Sequence, residues 1–184
     1  MLTRDEATSL IEKNITKKNI LYHMRAVEAI MRSLARHFDE DEDLWGLTGL
    51  LHDIDYEKTE GTWEKHGVLA EAILKGKVPE EVTRAIKAHN FERTGVPPET
   101  RMENALIACD AISGLLVACA LVMPSKKLAD AKVKTVKKKF KAKDFARGAD
   151  RERILYCEKI GVPKEKFFEI ALNGLKDCAA EIGL

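Results

Sequence analysis

Apolar residues recur along most of the chain at steps of three and four residues, the period of an amphipathic α-helix. The clearest series places six side chains on one helical face: Ile20, Met24, Val27, Met31, Leu34 and Phe38. No segment alternates strictly between apolar and polar residues, as a half-buried β-strand would. The pattern therefore predicts an all-α fold, a helical bundle.

The same pattern gives the expected order of helices. Thr3 followed by Glu6 has the spacing of a capping box, so a first short helix is expected to begin there. Pro79 is expected at the first position of its helix. Further helices are predicted over residues 20–38, from about 44 to the pair His52-Asp53, and over 64–75, 79–90, 101–121, 149–160 and 163–181.

One predicted helix is unusually apolar. Residues Ala105–Met123 approach the roughly 20 residues that a membrane-spanning helix needs. Asp110 lies within this run, and a carboxylate inside a lone span costs several kcal/mol. We therefore expect a helix buried by other helices and no membrane partner.

Composition fits this interpretation. The 184 residues, 45% hydrophobic and 33% charged, suit one soluble domain over 1–184, with a core motif region at 20–121 and C-terminal helices at 122–184. The N-terminus carries acidic residues where an export signal would be basic and then apolar, so a cytoplasmic location is expected. The four cysteines lack C-x-x-C spacing and are expected to be buried, reduced thiols.

Candidate chemistry lies in histidines and carboxylates of the core region. Four imidazoles and two carboxylates would complete the ligand set of one or two divalent metal ions. In chain order these residues are His23, His52, Asp53, His66, His89 and Asp110.

Each of these residues also has a simpler structural explanation. His23 shares a face with apolar residues, where a lone histidine is more often a hydrogen-bonded core residue. Asp110 weighs more heavily, because it stands among apolar neighbours and a buried carboxylate must be paired, hydrogen-bonded or metal-bound. His37 cannot share a site with His23, because it lies 14 residues later on the same helix, about 21 Å along the helix axis.

The local strings around these residues resemble the HD superfamily of metal-dependent phosphohydrolases. The strings are LYHMRAVEAIM, GLLHDIDYEKT, KHGVLAEAIL, AIKAHN and ALIACDAISGL, and the resemblance covers about residues 20–121. It implies an all-α bundle with a single-metal set of His23, His52, Asp53 and Asp110. His66 and His89 match the extra histidines of members that hold two metals, with Asp53, the implied catalytic residue, bridging them.

The resemblance further implies hydrolysis by attack of a metal-bound hydroxide on a small phosphorylated substrate, such as a nucleotide or another phosphate ester or anhydride. Histidine and carboxylate ligands suit Mn, Fe, Co, Ni or Zn. Members that cleave cyclic dinucleotides carry H-D-I-G-K, which this chain lacks, so that substrate class is disfavoured. Lys58, Lys65 and Arg93 are weaker candidates for substrate binding.

Two other functions stay open. The same ligand order occurs in di-iron oxygenases of the superfamily, and a non-catalytic, nucleotide-binding sensor is a third possibility.

Ten basic residues lie between Lys126 and Arg147 in a chain of net charge +1. This stretch is expected to be a solvated, mobile connection, and with few interleaved aromatic residues it makes nucleic acid an unlikely partner. The apolar last helix leaves a homo-oligomer possible.

Overall fold

The structure, a computed structural model, describes residues 1–184 and is helical throughout without a β-strand. The all-α prediction is therefore confirmed. The helices are α1 (Arg4–Glu12), α2 (Lys18–Phe38), α3 (Glu42–Leu51), α4 (Tyr56–Thr59), α5 (Val68–Leu74), α6 (Glu80–His89), α7 (Phe91–Thr94), α8 (Arg101–Leu121), α9 (Val133–Lys141), α10 (Arg151–Ile154), α11 (Tyr156–Lys159) and α12 (Lys164–Asp177), with short 3₁₀ helices at Trp63–Lys65, Leu128–Asp130 and Ala179–Ile182.

The two longest helices, α2 and α8, organise the core. Helix α2 packs against α3, α8 and α12, while α8 also contacts α6, α9, α10 and α11. The apolar side chains form a larger cluster around α2, α8 and α12 and a smaller one between α1, α3, α5 and α6. Helices α2, α3 and α6 contribute to both clusters, so these three elements join the two halves of the core.

Helix α8 is apolar because it is enclosed. By length and composition it could cross a membrane, but 72% of its most apolar stretch is buried inside the protein. A core helix of a soluble protein has the same composition. Its N-cap, Thr100, forms a capping box with Glu103. The capping box predicted for Thr3 and Glu6 is also present, at the start of α1.

Two glycines allow the helices to approach closely. A Cβ atom at Gly49 of α3 would lie 2.9 Å from the carbonyl oxygen of Val27 in α2. At Gly174 of α12 it would lie 2.8 Å from the carbonyl oxygen of Ala29 and 2.7 Å from the Cβ atom of Ser33. Both contacts fix the distance of a neighbouring helix from α2.

The predicted helix over 64–75 is wrong in its first half. The chain forms a 3₁₀ turn over Trp63–Lys65, runs extended at His66, and enters α5 only after Gly67, whose φ is 87°. The N–H groups of Gly67 and Ala70 donate to the side chain of Asp55, each at 2.8 Å. This contact to a distant carboxylate holds the start of α5, which periodicity does not reveal.

The C-terminal half also needs correction. The predicted helix over 149–160 is two short helices, α10 and α11, interrupted at Leu155, and the helix over 163–181 ends at Asp177 and is followed by a 3₁₀ turn. Pro79 is the N-cap of α6 and not its first residue. Helices α4 and α7, each of four residues, were not predicted.

The basic stretch 126–147 is not simply a mobile connection, because it contains helix α9. Val136 is fully buried, and Val133 and Phe140 pack on the core from the same face. Four lysines lie between these three apolar positions in the sequence and obscure the helical period. Seven of the nine lysines of the stretch 126–147 are exposed.

The four cysteines are free and buried, as predicted. Burial raises the pKa of Cys119 to about 11 and the pKa values of Cys157 and Cys178 to about 12. A thiol with so high a pKa is almost entirely protonated at neutral pH and therefore a poor nucleophile.

The close approach of α12 to α2 predicts the effect of one methyl group. Gly174→Ala should destabilise the protein by about 1–3 kcal/mol, because the added Cβ overlaps backbone atoms of α2. Gly114→Ala is the matched control, since a Cβ at this exposed helical position meets no atom within 4 Å. It should stabilise by about 0.5–1 kcal/mol through helix propensity. Urea denaturation measures both; equal stability changes would contradict the proposed contact.

Candidate metal centre

The six predicted residues come from five parts of the fold and meet where the two apolar clusters join. His23 lies on α2, His52 caps the C-terminus of α3 and is followed by Asp53, and His66 lies in the extended link before α5. His89 is the last residue of α6, and Asp110 lies on α8. The side chains of His52, Asp53, His66 and His89 are buried.

Four of these residues form the first part of the site. The Nε2 atom of His23 lies 3.2 Å from Nε2 of His52, 3.1 Å from Oδ1 of Asp110 and 3.6 Å from Oδ2 of Asp53. The Nε2 atom of His52 lies 3.4 Å from Oδ1 of Asp53 and 3.9 Å from Oδ1 of Asp110. Two imidazole nitrogens and two carboxylates therefore converge on one small volume.

Asp53 is shared with a second group formed with His66 and His89. The Nε2 atoms of these two histidines are 3.1 Å apart. They lie 3.2 Å and 3.7 Å, respectively, from Oδ1 of Asp53. His23, His52 and Asp53 on one side, and Asp53, His66 and His89 on the other, each have the spacing to hold a metal ion.

Hydrogen bonds at the other ring nitrogen turn each Nε2 atom inward. The Nδ1 atom of His52 lies 2.8 Å from the carbonyl oxygen of Gly49, and that of His89 bonds the carbonyl oxygen of Ile86. A carbonyl only accepts, so both Nδ1 atoms carry the proton and both Nε2 atoms present a lone pair. Each carbonyl is among the last four of its helix, which lack intrahelical donors. The helix terminus thus supplies the acceptor that fixes its histidine.

His23 is fixed in the same way by a side chain. The hydroxyl of Ser113 donates to the carbonyl oxygen of Asp110 at 2.9 Å, so its oxygen is left to accept from Nδ1 of His23 at 3.0 Å. This arrangement leaves a lone pair on Nε2 of His23 as well. Ser113 and Asp110 lie on the same face of α8, which therefore provides both a candidate ligand and the residue that orients another.

Asp55 is a residue of the site that the sequence prediction missed. Its side chain is completely buried, and its Oδ1 atom accepts from Nδ1 of His66 at 2.8 Å. Its other oxygen holds the N–H groups at the start of α5. Carboxylates that orient a ligand histidine are a regular part of metal sites. The available signal was an acidic residue two positions after the His-Asp pair, where the sequence comparison noted only a departure from H-D-I-G-K.

Burial and neighbouring charges together set the protonation of Asp53, His66 and His89. Burial opposes ionisation of Asp53, yet His52, His66 and His23 hold its pKa well below the usual range. Burial alone would lower the pKa of His66, but the hydrogen bonds that its protonated ring donates to Asp53 and Asp55 raise it to about 10. Burial, together with the neighbouring His52 and His66, lowers the pKa of His89 to about 4. Ionised Asp53 and neutral His89 are already in the forms that bind metals, whereas His66 must release a proton when a metal binds.

The donor atoms fit a divalent transition metal. Two ligands at about 2.1 Å from one ion, separated by 90–110°, lie roughly 3.0–3.4 Å apart. The pairs His23–His52, His66–His89 and His66–Asp53 are separated by 3.2, 3.1 and 3.2 Å. Nitrogen and carboxylate oxygen without thiolate suit Mn, Fe, Co, Ni or Zn.

A cavity of about 450 Å³ opens over the two groups. Its lining consists of Asn19, Ile20, His23, Asp53, Tyr56, His66, His89, Asn90, Asp110 and Arg153. Asp110 reaches this cavity with 25% of its side chain exposed, and its Oδ1 atom is paired with His23.

Arg153 is the one arginine or lysine of this lining, and the sequence prediction did not include it. The structure does not place Lys58, Lys65 or Arg93 in the lining, and Lys58 instead donates to Asn14 at 2.5 Å. Arg153 comes from α10, far along the chain from the motif region, and no local pattern marks it. Its guanidinium donates to Glu92 at 2.9 Å and to the carbonyl oxygen of His89.

This geometry defines a helical domain with a His/Asp centre suited to metal binding. The HD domain family model matches residues 20–113, which is half of the chain and contains all six predicted residues. The chain belongs to the HD domain family, and the resemblance seen in the sequence is confirmed. No significant match was found among curated proteins or among solved structures.

The role of Asp55 leads to a prediction about metal affinity. Asp55→Asn should weaken one of two metal-binding events about 10- to 100-fold, because His66 loses the charged acceptor that orients it. The event that involves His23 and His52 should keep its affinity. Calorimetric titration with zinc measures both, and Asp144→Asn, at a side chain 97% exposed, serves as the control. Unchanged affinity in Asp55→Asn would contradict an orienting role.

Proposed function

We propose that the protein is a metal-dependent phosphohydrolase acting on a small phosphorylated molecule, a nucleotide or another phosphate ester or anhydride. Members of the HD domain family are in general metal-dependent phosphohydrolases. The observation that carries the proposal is the pair of ligand groups that share Asp53 beneath an open cavity. Two ions held a few ångströms apart suit phosphoryl transfer, in which both the attacking and the leaving oxygen carry charge.

In this proposal each residue has a defined role. His23, His52 and Asp110 would hold one ion, His66 and His89 would hold the other, and Asp53 would be a ligand of both. The position of Asp53 supports this shared role, because its Oδ2 atom lies 3.6 Å from His23 and its Oδ1 atom lies near His52, His66 and His89. Asp53 is therefore assigned as the central ligand of the catalytic centre.

Bound divalent metal ions lower the pKa of coordinated water towards neutrality and offset negative charge on phosphoryl oxygens. The protein contributes orientation, because an acceptor at Nδ1 fixes each imidazole before substrate arrives. A centre that needs no rearrangement stabilises charge more effectively than one that must first be ordered.

Arg153 is proposed to bind substrate phosphate in place of Lys58, Lys65 or Arg93. Its side chain is 18% exposed and lies in the cavity lining, where Glu92 and the carbonyl of His89 hold its position. A guanidinium matches two oxygens of a phosphate group at once. The cavity also contains Asp53 and Asp110, so a cation in its lining offsets the repulsion of an anionic substrate.

The activity is tested by release of inorganic phosphate from a panel of nucleotides and phosphate esters. Protein loaded with manganese or cobalt should release phosphate under anaerobic conditions, and Asp53→Ala should lower turnover at least about 100-fold, because both ions lose a ligand. Asp144→Ala should retain turnover. Turnover that requires oxygen and iron would favour the oxygenase alternative, and nucleotide binding without any turnover would favour a sensor.

A second experiment compares Arg153 with Arg93, one of the three cations that the sequence suggested for substrate binding. Arg153→Ala should lower kcat/KM by about 10- to 100-fold, mainly through KM, since a charge-assisted hydrogen bond contributes about 1.5–3 kcal/mol. Arg153→Lys should recover part of the loss. Arg93→Ala, at an exposed position outside the lining, should leave the kinetics unchanged. Loss of activity in Arg93→Ala but not in Arg153→Ala would reverse the assignment.

A further inference from the structure

A second cavity, of about 370 Å³, lies against the metal centre on the other side of His23. It shares Asn19 and His23 with the first cavity, so the two lie side by side. We call this second cavity the side cleft. Its lining consists of Asn19, Tyr22, His23, Ala26, Ser113, Gly114, Val117, Leu121, Ile182, Gly183 and Leu184.

The side cleft differs in chemistry from the cavity that it joins. None of its lining side chains carries a carboxylate, an ammonium or a guanidinium group, whereas the cavity over the centre contains Asp53, Asp110 and Arg153. Aliphatic and aromatic side chains from α2, α8 and the C-terminal 3₁₀ turn form most of its walls. A ligand that occupies both cavities therefore meets a charged end and an apolar end.

Two of the apolar side chains of the side cleft are also unusually exposed. Tyr22 is 40% exposed and Leu121 is 51% exposed, and they are two of the five large hydrophobic residues exposed anywhere in the protein. Leaving such surface in water is unfavourable, and concave apolar surface of this size is typical of ligand pockets. Gly114 of α8 borders this open space, because a Cβ at this position would meet no atom within 4 Å.

We propose that the side cleft binds an uncharged, apolar group of the substrate, a hydrocarbon chain or an aromatic ring, while the phosphate lies at the metal centre. This inference rests on the proposed phosphohydrolase activity and narrows its substrate class to phosphorylated molecules with an apolar part. His23 marks the boundary between the two parts: its Nε2 atom faces Asp110, while Ser113, which holds its Nδ1 atom, lines the side cleft.

Zinc-loaded protein with labelled methyl groups tests this proposal by NMR titration with n-alkylphosphonates of one to six carbons, which phosphohydrolases do not cleave. Affinity should rise about fourfold for each added methylene until the side cleft is filled, the value for burial of one such group. The methyl signals of Val117 and Leu121 should shift with the longer chains only. A chain-length series without a gain in affinity would overturn the proposal.

A matched pair of variants assigns the effect to the side cleft. Leu121→Gln should flatten the dependence on chain length and leave methylphosphonate binding unchanged. Val122→Gln changes the adjacent residue, which is 53% exposed and outside the cleft lining, and should keep the full dependence. Equal effects of both variants would contradict the location.

Titration with uncharged n-alkanols separates this proposal from the proposed activity. Shifts at Val117 and Leu121 that depend on alkanol chain length, together with absent phosphonate binding, would support an apolar site and contradict the phosphohydrolase assignment. Phosphonate binding with no chain-length dependence for either series would be consistent with the proposed phosphohydrolase activity. It would overturn the proposal that the side cleft binds an apolar group of the substrate. Shifts of the same methyl groups on dilution, without any probe, would show a second copy on this surface and would also overturn the proposal.

Discussion

The site depends on one constraint: four imidazoles must direct Nε2 lone pairs at the same small volume. Neutral histidine exists in two tautomers, and an acceptor at Nδ1 selects the one that exposes Nε2 to a metal. Here Gly49, Asp55, Ile86 and Ser113 supply the four acceptors. Without them, each ring would be free to present an N–H group, which cannot coordinate a metal ion.

The positions at which two helices end provide two of these four acceptors. Helices α3 and α6 end within a residue of their candidate ligands, so the free carbonyls of their last turns fix the rings of His52 and His89. Gly49 has a double role, since its missing side chain lets α3 approach α2 while its carbonyl holds His52. Packing of the core and orientation of the candidate ligands are thus parts of the same local structure.

Sequence reasoning reached the long helices and the six-residue pattern because both have strong local signals. The helix predicted over 101–121 matches α8, and the predicted end of the leucine series at His52-Asp53 matches the end of α3. Asp55 and Arg153 were missed because their roles depend on contacts with residues 11 and 64 positions away in the sequence. The break before α5 was missed for the same reason, and α9 because lysines obscured its short apolar face. Which parts of the chain act as one domain remains a sequence-based prediction.

The central claim is that two metal ions share Asp53, and anomalous scattering from a crystal of the zinc-loaded protein tests it most directly. The account predicts two zinc peaks, one beside His23, His52 and Asp110 and one beside His66 and His89, with Asp53 adjacent to both. A single peak away from Asp53, or zinc bound elsewhere while the Nε2 atoms of His66 and His89 keep a direct contact, would contradict the account.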